Sequence, residues 1–254
     1  QLTIDSRIQQ AAQNALDGFN GACVVLDPTT GAVLAMASSP TYNAEDFDDV
    51  LSNQNSGDNS DALFNRATQA LYAPGSTFKM VSLGTALEND VANENTTFGG
   101  ANVYNFDRNN YGTLTLTRAT ALSANTAFGQ LGTQEGASML VNEATRFGFN
   151  QNVPFDLPLA ESLMPDPSEM TEWETAWAAC GQPVGQHSSP AGPQATVMQM
   201  ALVGSAIANN GVLETPYLVS STYNSDGQRA STTSPTPYST ALSADTAQRE
   251  RRIL

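Results

Sequence analysis

The pattern of apolar and polar positions first predicts a helix followed by a hairpin. Apolar residues recur at helical spacing between residues 8 and 16, and Asp5 or Ser6 can cap that helix. Two apolar runs, over 22–26 and 32–36, then flank a short turn that contains Pro and Gly. Because β-rich runs joined by such a turn favour antiparallel pairing, we expect a β-hairpin here.

The later pattern is mainly helical. Apolar side chains lie on several faces of the segment 76–87, which predicts a buried helix. We expect short helical pieces over 114–148, an apolar helix over 196–209 and a last helix over 243–254. The polar connections between them are an exposed acidic excursion (43–61), a Gly/Pro/Ser loop (181–194) and a Ser/Thr-rich hairpin or loop (220–240). This order predicts an α+β fold in which helices cover an antiparallel sheet.

Composition narrows the classes of function. Twenty-five acidic residues against ten basic ones give a formal net charge of −15, which repels nucleic acid and anionic lipid. Cys23 and Cys180 lack a CxxC spacing, so we expect small buried thiols rather than a disulfide or metal pair. No cluster has metal-ligand spacing, and we expect no metal and no cofactor. No apolar run is long enough to span a membrane, and the start at Gln1, without Met or a signal peptide, suggests a trimmed piece.

The only lysine of the chain, Lys79, stands three residues after Ser76. Residues at i and i+3 of a helix share a face, with Cβ atoms roughly 5–6 Å apart, so the amine can reach the hydroxyl. A serine becomes a good nucleophile only when a neighbouring base takes its proton. An ammonium among apolar side chains loses its proton more easily, which makes Lys79 a plausible base for Ser76.

A second group of polar residues lies on a predicted turn at 123–125. Ser123 and Asn125 can point into one cleft, where the hydroxyl could relay a proton and the amide could hold a peptide group. An ordinary helix-capping role is the alternative for both residues.

Three other residues are weaker candidates for a functional role. His187 is the only histidine, so no Ser-His-Asp triad is supported, and we expect a structural or solvated role. Trp173 and Trp177 are four residues apart, which favours packing over ligand stacking.

Together these segments resemble the transpeptidase domain of penicillin-binding proteins, a group that carries a Ser-x-x-Lys motif. The resemblance covers most of the chain. It rests on residues 72–79 (Tyr-Ala-Pro-Gly-Ser-Thr-Phe-Lys) after Asn65-Arg66-Ala67, the opening segment 2–9, the hairpin 25–36 and the late segment 199–212. It implies one α+β domain over 1–254, in which an antiparallel sheet is flanked by helices with an all-α subdomain at about 62–200.

The resemblance also implies roles for the residues. Ser76 would attack the D-Ala–D-Ala carbonyl of a peptidoglycan stem peptide, with Lys79 as its base. Ser123 would pass a proton to the departing D-alanine, and Asn125 would bind the substrate amide. An amine from a second stem peptide would then form the crosslink, and β-lactams would acylate Ser76. The implied location is the extracytoplasmic face of the bacterial membrane, with a membrane-embedded glycosyltransferase as a possible partner and no nucleic acid.

One part of the family pattern is absent. The third motif, Lys-Thr-Gly on a sheet-edge strand, needs a second lysine, and the helix expected shortly before it is 243–254. The C-terminal part of the sheet would then be missing, and the chain is either a piece that stops before this strand or a form that cannot catalyse. Two alternatives stay open. A serine β-lactamase of class A would have Asp where Ala124 stands, and a non-catalytic β-lactam sensor or division or elongation scaffold needs no third motif.

Overall fold

The first forty residues form the predicted helix and hairpin. The computed structural model describes residues 1–52, 61–99, 108–185 and 188–254. Helix α1 (Ser6–Ala15) is capped by Asp5, whose carboxylate accepts hydrogen bonds from two backbone N–H groups of the first turn. Strands β1 (Gly21–Leu26) and β2 (Val33–Ser39) pair antiparallel. The apolar face of α1 packs on this hairpin.

Helices dominate the middle of the chain. The described helices are α2 (Phe47–Ser52), α3 (Lys79–Glu88), α4 (Leu116–Ala121), α5 (Asn125–Glu135), α6 (Ala137–Arg146), α7 (Glu172–Ala179) and α8 (Val197–Ala208). Strands β3 (Thr97–Phe98) and β4 (Leu114–Thr115) form a small ladder between α3 and α4. None of the helices in the described part of the chain is long and apolar enough to cross a membrane.

The C-terminal part returns to the first hairpin. Strands β5 (Val212–Glu214) and β8 (Pro237–Thr240) pair, β6 (Ser221–Tyr223) pairs with β7 (Arg229–Thr232), and α9 (Ala244–Ile253) follows. Bridges from Ala32 to Tyr217 and from Leu2 to Val219 join this part to the N-terminal hairpin. The α+β arrangement of antiparallel strands and covering helices is therefore confirmed.

Helix α3 lies at the centre of the domain, as its apolar pattern predicts. Eight of its ten residues are buried, and it contacts α5, α6, α8 and α9. Phe78 and Val81 belong to a large apolar cluster that also contains Phe149. Leu83 and Leu87 belong to a second cluster, on the side of α4 and α5. A helix buried between two clusters holds its first residue in a fixed place.

Three helices around this core each carry a buried glutamate, an arrangement that the sequence pattern did not predict. Glu135 on α5, Glu143 on α6 and Glu250 on α9 are each at most 5% exposed. Burial, with a smaller contribution from the charge of Glu143, raises the pKa of both Glu135 and Glu250 well above the usual value. Burial also raises the pKa of Glu143 to about 7, although its ion pair with Arg146 acts in the opposite direction.

Two local features add to what the sequence pattern predicts. The excursion at 43–61 contains the short helix α2, where Val50 turns inward while its neighbours stay exposed; residues 53–60 lie outside the described part. Helix α7 was not predicted, although Thr171 and Glu174 form a capping box at its start. The all-α subdomain at 62–200 stays a prediction, and His187 lies outside the described residues.

Candidate active site

Four oxygen atoms surround the amine of Lys79. Its Nζ atom lies 3.2 Å from Ser76 Oγ, 3.0 Å from Ser123 Oγ, 2.7 Å from the Ser123 carbonyl oxygen and 2.6 Å from Asn125 Oδ1. Lys79 is only 5% exposed, whereas Ser76 and Ser123 are both exposed. The structure thus brings all four sequence-predicted site residues together, with the amine buried beneath two accessible hydroxyls.

The backbone at Ser76 differs from the predicted α-helix. Residues Gly75–Phe78 form a single turn of 3₁₀-helix, which is called the 75–78 turn below, and the α-helix begins only at Lys79. In a 3₁₀ turn the side chains at i and i+3 eclipse each other, so Ser76 stands more directly above Lys79 than in an α-helix. Gly75 has φ of +55°, a left-handed conformation that glycine adopts at little cost.

The turn between α4 and α5, residues 122–124, orients Ser123. The backbone φ angle of Ser123 is +51°, which is uncommon for a residue other than glycine. Two backbone hydrogen bonds hold this conformation, from Ser123 N–H to the Thr120 carbonyl and from Ala124 N–H to the Ala119 carbonyl, both 2.9 Å long. As a result, both the carbonyl and the hydroxyl of Ser123 face Lys79. Strain of this kind often marks a functional site.

The four contacts limit which hydrogen bonds the Lys79 amine can donate and accept. The Ser123 carbonyl and Asn125 Oδ1 can only accept hydrogen bonds. A neutral amine has two N–H groups, which these two oxygens satisfy, and one lone pair, which remains for a hydroxyl proton. An ammonium has a third N–H and must instead donate it to a hydroxyl. With its N–H groups on these two oxygens, a neutral Lys79 amine can direct its lone pair at a serine hydroxyl, and an ammonium can donate its third N–H to the same hydroxyl.

Two further residues contribute to the site. The Lys79 amine lies 5.2 Å from the centroid of the Phe128 ring on α5, a cation–π distance. Gly75 N–H donates a 2.9 Å hydrogen bond to the Gly181 carbonyl, directly behind the 75–78 turn. Sequence reasoning missed both. The spacing of three residues from Asn125 could have indicated Phe128, but no periodic signal pairs Gly181 with Gly75.

The structure also describes the tryptophans and cysteines that the sequence singled out. Trp173 and Trp177 stack on each other with ring centroids 5.6 Å apart. Cys23 and Cys180 are both free thiols, and Cys180 is buried whereas Cys23 is half-buried. Within the described ranges, no group of three or more His, Cys, Asp or Glu residues could hold a metal ion.

The comparisons with known proteins assign the family. Residues 21–254 match the sequence model of the penicillin binding protein transpeptidase domain. The chain belongs to this family, and the predicted resemblance is confirmed.

Named relatives agree with this assignment. The chain is similar to the peptidoglycan D,D-transpeptidase PbpA of Mycobacterium tuberculosis, with 35% identity over 91% of this chain and 50% of that protein. It is also similar to the peptidoglycan D,D-transpeptidase MrdA of Escherichia coli, with 31% identity over 87% of this chain and 37% of that protein. The chain thus spans about half or less of the length of these curated relatives.

Solved structures share the fold closely. The D,D-transpeptidase domain of a peptidoglycan glycosyltransferase from Eggerthella lenta superposes with a TM-score of 0.96 and 53% identity, over all of this chain and 64% of that one. Penicillin-binding protein A of M. tuberculosis, solved as a penicillin G acyl-enzyme complex, gives a TM-score of 0.83 and 30% identity over 99% of this chain and 63% of that one.

Proposed function

We propose that this chain carries the acylation site of a peptidoglycan D,D-transpeptidase. Ser76 is the nucleophile, Lys79 its base, Ser123 a proton relay and Asn125 the group that holds the substrate amide. The observation that supports this most is the position of the buried Lys79 amine, which contacts both serine hydroxyls while two fixed acceptors take its N–H groups.

Acylation follows from this geometry. The Ser76 O–H proton passes to the Lys79 lone pair as Oγ forms a bond to the carbonyl carbon of the penultimate D-alanine. Collapse of the tetrahedral intermediate breaks the peptide bond, and the departing amine of the terminal D-alanine takes a proton from the Ser123 hydroxyl. Lys79 returns its proton to Ser123, since their atoms are 3.0 Å apart. The products are an ester on Ser76 and free D-alanine.

The second half-reaction uses the same groups. The amine of a neighbouring stem peptide attacks the ester carbonyl and gives a proton to Ser123 or Lys79. Ser76 Oγ leaves and regains a proton, which completes the crosslink. A β-lactam presents an amide carbonyl to the same hydroxyl, and its ring opens to leave a stable ester on Ser76.

The cellular setting is part of the proposal. The substrate is a stem peptide that ends in D-Ala–D-Ala, β-lactams are covalent inhibitors, and the site works on the extracytoplasmic face of the bacterial membrane. The Eggerthella lenta relative is named a glycosyltransferase, which supports a glycosyltransferase as a possible partner of this domain.

A second candidate function has one observation in its favour. Because Lys79 is the only lysine, this chain contains no Lys-Thr-Gly motif. A β-lactam sensor or scaffold needs acylation of Ser76 but no turnover, and it is the alternative for a protein whose full sequence lacks this motif. A class A β-lactamase is disfavoured because Ala124 replaces the Asp of that pattern.

Labelling with a fluorescent penicillin tests the proposal, both on the 254-residue chain and on the intact gene product that carries this sequence. We expect one label per molecule, located at Ser76 by peptide mass spectrometry and lost in Ser76→Ala. Ser52→Ala, an exposed serine at the end of α2, is the control and keeps the label. Undiminished labelling of Ser76→Ala would refute the assignment of the nucleophile.

Turnover assays separate the candidate functions. A transpeptidase releases D-alanine from a stem pentapeptide when an amine acceptor is present and hydrolyses nitrocefin only as a stoichiometric burst. Rapid nitrocefin turnover would identify a β-lactamase instead. Labelling of the intact gene product without D-alanine release would identify a sensor or scaffold.

A further inference from the structure

The C-terminal end of helix α7 contacts both halves of the site. Residues 179–181, called the 179–181 segment below, lie directly behind the 75–78 turn and beside the start of α5. Three hydrogen bonds make these contacts, from Ser82 Oγ to the Ala179 carbonyl (2.8 Å), from the Cys180 thiol to the Asn125 carbonyl (3.5 Å) and from Gly75 N–H to the Gly181 carbonyl (2.9 Å).

The contact between Gly181 and Gly75 is a direct meeting of two backbones. Gly181 has φ of +81°, and a Cβ atom at this position would overlap the Gly75 carbonyl group. Backbone atoms cannot rotate aside as the end of a flexible side chain can. The place of the 75–78 turn is therefore determined by the residue behind it.

The 179–181 segment is itself held against α5. A Cβ atom at Gly132 would overlap the Ala179 side chain and would lie 3.1 Å from the Thr175 carbonyl oxygen, so α5 and α7 are in close contact. Because α5 begins at Asn125, two packed helices rather than flexible loops set the distance from Asn125 to the segment. Sites supported by rigid elements hold their geometry better than sites supported by loops.

We propose that the 179–181 segment is a positioning element that fixes the 75–78 turn relative to the 122–124 turn, and so holds Ser76 within reach of Lys79 and Ser123. This proposal rests on the proposed function, because the position of Ser76 matters to a reaction only if Ser76 reacts. The geometry itself can be tested without any transpeptidase assay. Gly181 touches no reacting atom and acts through Gly75. The segment hydrogen-bonds at once to the 75–78 turn, to α3 and to the start of α5.

The decisive variant is Gly181→Ala, and the chain offers a matched control. Gly18 has nearly the same backbone conformation, with φ of +77°, but a Cβ atom there meets nothing within 4 Å. Gly18→Ala therefore carries the same left-handed strain without the collision. Circular dichroism melting confirms that each variant is folded before any reactivity is compared.

A chemical readout reports the position of residue 76 independently of transpeptidation. In a Ser76→Cys background, the introduced thiol lies beside Lys79, and a neighbouring lysine lowers the pKa of a thiol. Alkylation by iodoacetamide as a function of pH, followed by peptide mass spectrometry, gives the midpoint for this thiol alone. We expect Gly181→Ala to move the midpoint upward, toward about 8.5 as in free cysteine, and Gly18→Ala to leave it unchanged.

Penicillin acylation of the variants with native Ser76 is the second readout. A misplacement of about 1 Å lowers rates by roughly 10²-fold, and we expect a loss of that order for Gly181→Ala. If Gly181→Ala does not fold, the double variant Ser82→Ala with Cys180→Ala takes its place, with Cys23→Ala as the thiol control. An unchanged alkylation midpoint in a folded variant overturns the proposal. A shifted midpoint in a protein that penicillin never labels supports positioning and counts only against the proposed function.

Discussion

Replacement of Glu143 by glutamine should stabilise the protein at pH 8 and have little effect at pH 4.5. The Glu143 side chain is 4% exposed, and burial raises its pKa from 4.5 to about 7. Below pH 4.5 the carboxyl holds its proton in both the folded and the unfolded chain. Between pH 4.5 and 7 only the unfolded chain releases it, so the folded state binds more protons and the free energy of unfolding falls with rising pH. Above pH 7 this loss is complete.

The size of the effect follows from the two pKa values. At 1.36 kcal/mol per pKa unit, the interval from 4.5 to about 7 corresponds to at most ~3 kcal/mol. Glutamine also loses the 3.3 Å ion pair with Arg146, whose side chain is 45% exposed. Such a pair contributes about 0.3–0.5 kcal/mol, so burial of the charge is the larger effect. The net gain at pH 8 is ~2–3 kcal/mol, or roughly 5–10 °C in melting temperature for a chain of this size.

Urea unfolding followed by tryptophan fluorescence at pH 4.5, 6, 7 and 8.5 measures the effect. The wild-type free energy of unfolding should fall across this range, and the Glu143→Gln curve should fall less. The slope that remains in the variant comes from Glu135 and Glu250, whose pKa values are also raised by burial. The variant removes the charge of Glu143, which contributes to both of these raised pKa values. Glu161→Gln, at an exposed position, is the control and should follow the wild type. Parallel curves for Glu143→Gln and wild type would show that the burial argument is wrong.

Two further predictions concern the site and its helices. Lys79→Met should lower the rate of penicillin labelling at Ser76 by about 10²–10⁴-fold, which is the usual contribution of a general base. The circular dichroism spectrum should stay that of the wild type. Labelling at the wild-type rate would exclude Lys79 as the base. Gly132→Ala should cost about 1–3 kcal/mol in urea unfolding because the new methyl group overlaps Ala179, whereas Gly204→Ala, in a helix with open space, should gain about 0.5–1 kcal/mol. Equal effects of the two glycine replacements would contradict the close packing of α5 on α7.

The residues of the proposed catalytic cluster could be predicted from the sequence because each half of the cluster is local. The spacing of Ser76 and Lys79 follows from one helical turn, and the proximity of Ser123 and Asn125 follows from one short turn. That the two halves meet came from the family resemblance, since no local pattern relates residues so far apart in the chain. The structure added the conformation of the two turns, a 3₁₀ turn at Ser76 and a left-handed residue at Ser123.

The supporting parts could not be predicted because they depend on tertiary packing. Glycine usually indicates a turn or a flexible point, and nothing in the sequence shows that Gly181 packs against a second glycine backbone. Glutamate is almost always at the surface, so Glu135, Glu143 and Glu250 read as solvated charges. Their burial becomes visible only when α5, α6 and α9 are placed around the core.

Because Lys79 is the only lysine, its chemical reactivity can report local opening of the structure around it. The only side-chain amine of the chain is 5% exposed in the folded state, so an amine-specific reagent can reach Lys79 only when the site opens. Local openings cost less free energy than global unfolding, and each exposes a particular group. The rate of acetylation at Lys79, compared with its rate in the urea-unfolded chain, therefore measures how often the proposed active site opens, and it does so without any probe attached to the protein.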